Sequence, residues 1–266
     1  MNHLSTAGSK TWISRLARVG LIAKGIVYVV LGILAFMAAF EVSGQSDANA
    51  NRSGVFRWIK EAPGGQWWLP LLAAGLICYS VWRLVEAFRK DDSEQRSKTK
   101  RARYVLSGLG YAAVAFSAIK MALETTNKGD QNQQLAATAL DKPFGQWMLG
   151  IGGLVLAGIG IYQVYYALSE KYKKHVQKLS QTGGDKALLL AGKVGYIARG
   201  LVWIIIAFLL LKAALHANAS EAGDSGKAFQ WLESGTYGSL LLGILGLGVI
   251  AYGVFNFVRA RYERFE

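Results

Sequence analysis

Six long apolar runs constrain this chain more than any other feature: residues 20–40, 67–88, 104–123, 144–168, 188–215 and 238–258. Each is about 20 residues or longer, the length an α-helix needs to cross roughly 30 Å of hydrocarbon. Together they take up about half the chain, and the polar sequence left between them is too short for a separate soluble domain. They are rich in Gly and Ala, as suits helices that pack closely in a bilayer. Buried helices of a soluble protein would mostly carry a polar face instead. Residues 1–18 are polar and basic, and the first run is too long for a signal-peptide core, so it reads as a retained membrane helix. The expectation is an all-α membrane protein, with residues 1–266 forming a single transmembrane domain.

Charge is sparse but one-sided. Hydrophobic residues make up 52% of the chain and charged residues 18%, yet the net charge is +13. Disorder is excluded, because it needs low hydrophobicity, and the lone Cys78 excludes a disulfide scaffold. Four segments (the N-terminal stretch, residues 89–103, residues 169–187 and the tail from Arg259) hold 18 Lys and Arg, against 6 in the alternate loops. That bias places both termini in the cytoplasm. Most of the +13 is then a matter of topology, and no nucleic-acid partner is needed to explain it. Contacts to anionic membrane lipids follow naturally from such clusters.

The runs repeat in pairs. GLIAKGIVY at residues 20–28 aligns with GYIARGLVW at residues 195–203, matching Gly20 with Gly195, Ala23 with Ala198, Lys24 with Arg199 and Gly25 with Gly200. The middle copy keeps Gly108 and Tyr111 at the places of Gly25 and Tyr28, and carries Ser107 where Lys24 and Arg199 stand. The even runs match through Gly75 and Tyr79, Gly158 and Tyr162, and Gly248 and Tyr252. The outer loops VFRWIKEAPGGQW, ATALDKPFGQW and AFQWLESGTYG each read as a short amphipathic helix, a Gly-containing break and the next span. Trp58, Trp67, Trp68, Trp147 and Trp231 sit where aromatic belts form. The repeat units are approximately 15–90, 98–172 and 190–262. Units repeated without inversion imply an axis along the membrane normal, so six transmembrane helices in three tandem hairpins with pseudo-threefold symmetry are expected.

This arrangement resembles the bacterial membrane family known as domain of unknown function 1206. Its members look like three tandem two-helix repeats with an ARxGxxAKGxVY-type opening, here ARVGLIAKGIVY at residues 17–28 and GKVGYIARGLVW at residues 192–203. The resemblance implies this fold and a place in the bacterial inner membrane, and supplies no catalytic residue.

Ionisable groups inside a membrane helix are costly, so each needs a reason. Lys24 and Arg199 lie one to two turns inside their spans, where they either snorkel to lipid phosphates or form a basic ring for an anion or lipid head group. Arg83 and Glu86, three residues apart, are placed to pair with each other. At the outer ends, the repeat offsets align Lys120 with Lys212, and Glu41 with Glu124 and His216. A threefold arrangement gathers these five near one axis as a polar vestibule; the alternative is that helix ends near water are simply polar.

The chemistry of a metal or cofactor site is missing. Haem within the bilayer needs histidines deep in the spans, whereas His3, His175 and His216 are terminal, loop or helix-end residues. No His/Cys cluster, GxSxG or P-loop pattern is present. The expected function is therefore non-enzymatic: a polytopic inner-membrane protein, structural or accessory, binding membrane lipids or a membrane protein partner. A small channel or transporter along the axis is the alternative, disfavoured by apolar mid-span residues such as Val29 and Ile33.

Overall fold

The computed structural model describes residues 3–42, 50–88, 98–123, 131–141, 144–176 and 186–263. In chain order its helices are α1 (His3–Ala39), α2 (Arg52–Glu61), α3 (Gly65–Phe88), α4 (Lys98–Leu123), α5 (Gln131–Leu140), α6 (Gly145–Leu168), α7 (Lys186–Leu215), α8 (Ser225–Glu233) and α9 (Gly238–Tyr262). The long members, α1, α3, α4, α6, α7 and α9, are the six helices long and apolar enough to cross a membrane. No strand occurs among the described residues. Each expected span is thus a helix, and among the described residues each outer loop contributes one short α-helix.

The break between short and long helix is made the same way three times. A Cβ on Gly65 would sit 2.2 Å from Lys60 O, one on Gly145 2.0 Å from Ala139 O, and one on Gly238 1.9 Å from Glu233 O. Only glycine lets the long helix start directly against the last carbonyls of the short one. Gly64 and Phe144, the residues just before two of these glycines, are left-handed, with φ of 77° and 65°. The short helices are capped where the sequence allows. Asn51 Oδ1 accepts from Gly54 N at 2.8 Å, and Asp224 Oδ1 accepts from Gly226 N at 2.8 Å. Helix α2 then buries Val55, Phe56 and Ile59 on one face while Trp58 stays exposed.

The long helices pack in the order α4, α3, α1, α9, α7, α6. Three of the five contacts join different repeats and centre on the register-equivalent glycines. Gly25 meets Gly253 and Phe257 of α9, Gly108 meets Leu84 of α3, and Gly200 meets Gly160 and Val164 of α6. The other two contacts lie within a repeat. A Cβ on Gly20 would sit 2.5 Å from Tyr79 Cα, and one on Gly195 2.5 Å from Tyr252 Cα. On the facing helices, Gly75 closes onto Ala23 and Gly248 onto Ala198, at 2.5 and 2.4 Å.

The middle repeat departs from this scheme. A threefold relation would pack α4 on α6 as α1 packs on α3, yet α4 and α6 do not form a packed pair. The reason is in their side chains. Arg103 stands where Gly20 and Gly195 make their contacts, and Leu106 stands where Ala23 and Ala198 do. Gly158, the counterpart of Gly75 and Gly248, accordingly has nothing within 4 Å of its absent Cβ. Helices α4 and α6 are also the least buried, with 22% and 17% of their apolar windows covered against 67% for α1. The six helices form a ring with a lateral gap.

Candidate functional site

The close approach of Gly20 to Tyr79 sets the local geometry. With the helices this near, the Tyr79 phenol reaches the residue one turn along α1. That residue is Lys24, whose Nζ donates to Tyr79 Oη at 3.2 Å. Lys24 is 3% exposed, so it does not snorkel. Its ammonium lies 4.9 Å from the ring centre of Tyr79, 5.2 Å from that of Tyr111 and 5.3 Å from that of Tyr252. Desolvated cation–π contacts of this kind are worth about 2 kcal/mol each, which offsets part of the cost of burying the charge.

The third repeat builds the same unit. Gly195 admits Tyr252, and one turn along Arg199 donates from Nη1 to Tyr252 Oη at 2.7 Å. The guanidinium carbon lies 4.8 Å from the Tyr252 ring centre and 5.3 Å from that of Tyr28. Tyr28 and Tyr252 meet edge to face, with centroids 4.8 Å apart. The second helix adds Arg83, which donates from Nε to Tyr79 Oη at 2.9 Å. It also stacks over Trp82 at 4.4 Å and Tyr104 at 5.3 Å. Arg83 therefore turns back one turn to Tyr79.

Lys24, Arg83 and Arg199 thus belong to one continuous cation–aromatic cluster in which Tyr79 accepts from two cations. Among the described residues no carboxylate pairs with any of the three. Arg259 offers the contrast: its guanidinium donates twice to Glu263, at 2.8 and 3.0 Å. Nδ1 of His175 lies 2.5 Å from Glu263 Oε1. Burial pushes the Glu263 carboxyl up, but Arg259 and His175 outweigh it and hold the pKa at about 2. Burial, with Arg259 beside it, lowers that of His175.

A cavity of about 600 Å³ occupies the inside of the ring, reaching α4 and α6, the helices that flank the gap. It is lined by Tyr28 and Arg199, by the apolar Val27, Leu31, Val202 and Ile206, and by Arg52 and Asp224. From Arg199 to Leu210 the lining follows α7 over about 16 Å. Of the three clustered cations, only Arg199 reaches the cavity. Its Nε is buried without a hydrogen-bond partner among the described residues.

The family described as Domain of Unknown Function (DUF1206) matches residues 19–90, 102–170 and 194–263, one segment for each repeat. The chain belongs to this family. It is also similar to the uncharacterized protein YxxB of Bacillus subtilis (strain 168), with 27% identity over 262 residues, covering 96% of this chain and 93% of that protein. No solved structure matches. As a DUF1206 protein it keeps a basic residue on a tyrosine hydroxyl in all three repeats. In the middle one Arg103, at the glycine position, donates from Nη1 to Tyr162 Oη at 3.1 Å.

The expected outer vestibule is arranged differently. Lys212 Nζ lies 3.4 Å from Glu221 Oε1, and His216 Nδ1 lies 2.9 Å from Glu221 Oε2, so these two meet on the turn after α7. Glu41 is exposed and left-handed, ending α1 with φ 51°. Lys120 is exposed on α4, Glu86 is half-buried on α3, and Glu124 lies outside the described residues. Sequence reasoning passed over Tyr79, Tyr252, Arg103, Glu221 and Glu263 as functional groups. The repeated tyrosines, one turn past Gly75 and Gly248, were the available signal for the first two.

Proposed function

We propose that this DUF1206 protein is a non-enzymatic component of the bacterial inner membrane, with both termini in the cytoplasm, that holds a membrane lipid inside its helical ring. The observation that carries this reading is the cavity beside the gap between α4 and α6. A gap at the level of apolar spans opens toward lipid, and a lining of Val27, Leu31, Val202 and Ile206 suits a hydrocarbon chain. The lining of the spans is mostly apolar and offers a permeating ion few polar partners, which speaks against conduction. The exposed apolar side chains Leu106, Phe116, Leu154 and Ile161 on α4 and α6 suit contact with acyl chains on the way in.

The test is lipid analysis of protein extracted in mild detergent. Wild type should retain about one tightly held lipid per chain, a single cavity's worth. Gly110→Leu should lose it, because Gly110 lines the cavity with nothing within 4 Å of its absent Cβ. Equal lipid content in the two proteins counts against the reading.

A further inference from the structure

We infer that the occupant is an anionic amphiphile whose head group pairs with Arg199 while its chain follows the apolar lining toward α2. The inference rests on the cavity reading above and adds the chemical class. Three observations carry it. Arg199 is a guanidinium in the wall of a largely apolar cavity that also carries Arg52 and Asp224, and among the described residues no carboxylate hydrogen-bonds to it. Its Nη1 and both ring contacts are spent on Tyr252 and Tyr28, which fix the plane of the guanidinium. Among the described residues its Nε has no hydrogen-bond acceptor. A planar, immobilised donor set lacking an anion is what phosphate or carboxylate oxygens complete. Lys24 and Arg83 carry the same sign of charge nearby, held by Tyr79, and strengthen the positive field there. Val27 and Leu31 from α1 and Val202 and Ile206 from α7 add hydrocarbon to the same lining. A free inorganic anion would leave that surface empty, whereas a chain-bearing one covers it.

Native mass spectrometry of the detergent-solubilised full chain tests this, with dodecyl phosphate, dodecanol and inorganic phosphate as probes. Wild type should bind one dodecyl phosphate roughly tenfold more tightly than dodecanol, as a charge-assisted hydrogen bond to a head group requires. Arg199→Gln should level the two, and Arg199→Lys should restore part of the preference. Equal binding of dodecyl phosphate and dodecanol by wild type overturns the anionic class while leaving the cavity reading intact. Binding of neither chain-bearing probe overturns both. Inorganic phosphate binding as tightly as dodecyl phosphate overturns the amphiphile in favour of a free anion. An unchanged preference in Arg199→Gln removes Arg199 from the site. The wild-type comparison decides the class even where the Gln variant does not fold.

Discussion

Arg103 donates to Tyr162 Oη at 3.1 Å from the register position that glycine holds in the other two repeats. The long side chain bridges α4 and α6 where Gly20 and Gly195 bring backbones together, so one residue both keeps the base–tyrosine bond and holds the helices apart. Arg103→Gly should let α4 close onto α6. In a Cys78→Ser background, a Leu106→Cys, Gly158→Cys pair should crosslink faster with Gly at 103 than with Arg, and the retained lipid should fall. An unchanged crosslinking rate would mean that Arg103 does not set the gap.

Glycines that look alike in the sequence should behave oppositely. At Gly195 and Gly248 an added side chain meets Tyr252 Cα or Ala198 Cβ at 2.5 or 2.4 Å. Leu at either place should cost about 1–3 kcal/mol through overpacking. Gly158→Ala meets open space and should stabilise by roughly 0.5–1 kcal/mol through helix propensity. Thermal unfolding in detergent reads both signs.

Tyr79→Phe removes the oxygen that accepts from Lys24 and Arg83, leaving two buried donors unsatisfied. A loss of about 2–3 kcal/mol is expected, as for a charged group deprived of its partner. Adding Lys24→Met should recover part of it, because the second change removes one orphaned charge. Strict additivity in this double-mutant cycle would show that the two residues are not coupled.

Acid should destabilise the His175–Glu263–Arg259 contact in two windows. The His175 pKa lies below its ordinary 6.5 in the folded chain, so the unfolded chain takes up its proton first and stability falls as pH drops below 6.5. Glu263, held at about 2 against an ordinary 4.5, contributes stability that is complete above 4.5 and lost on acidification toward 2. His175→Gln should remove the upper window and Glu263→Gln the lower one, as read by melting temperature against pH.

The spans were legible because a bilayer admits few alternatives: a run of some 20 apolar residues has to satisfy its own backbone and does so as a helix. The hairpin repeats were legible from residue identity, and so was the importance of Gly25, Gly108 and Gly200, each of which lies at a contact between repeats. The substitution that opens the ring also stood in the sequence, as Arg103 and Leu106 in the register of Gly20 and Ala23. Its effect was not readable there, since a large residue in a small-residue position matters only against a facing helix.

What tertiary structure alone decided is which partner each charge takes. Tyr79 and Tyr252 lie 55 and 53 residues from Lys24 and Arg199, and only the packing of two helices makes them neighbours. Arg83 had two candidates on its own helix, Glu86 at i+3 and Tyr79 at i−4, and spacing does not choose between them. The packing of α1 on α3 sets the Tyr79 phenol where Lys24 and Arg83 both donate to it. Apolar length determined that this chain crosses a membrane; the depth and direction of its tyrosines determined where its buried positive charge resides.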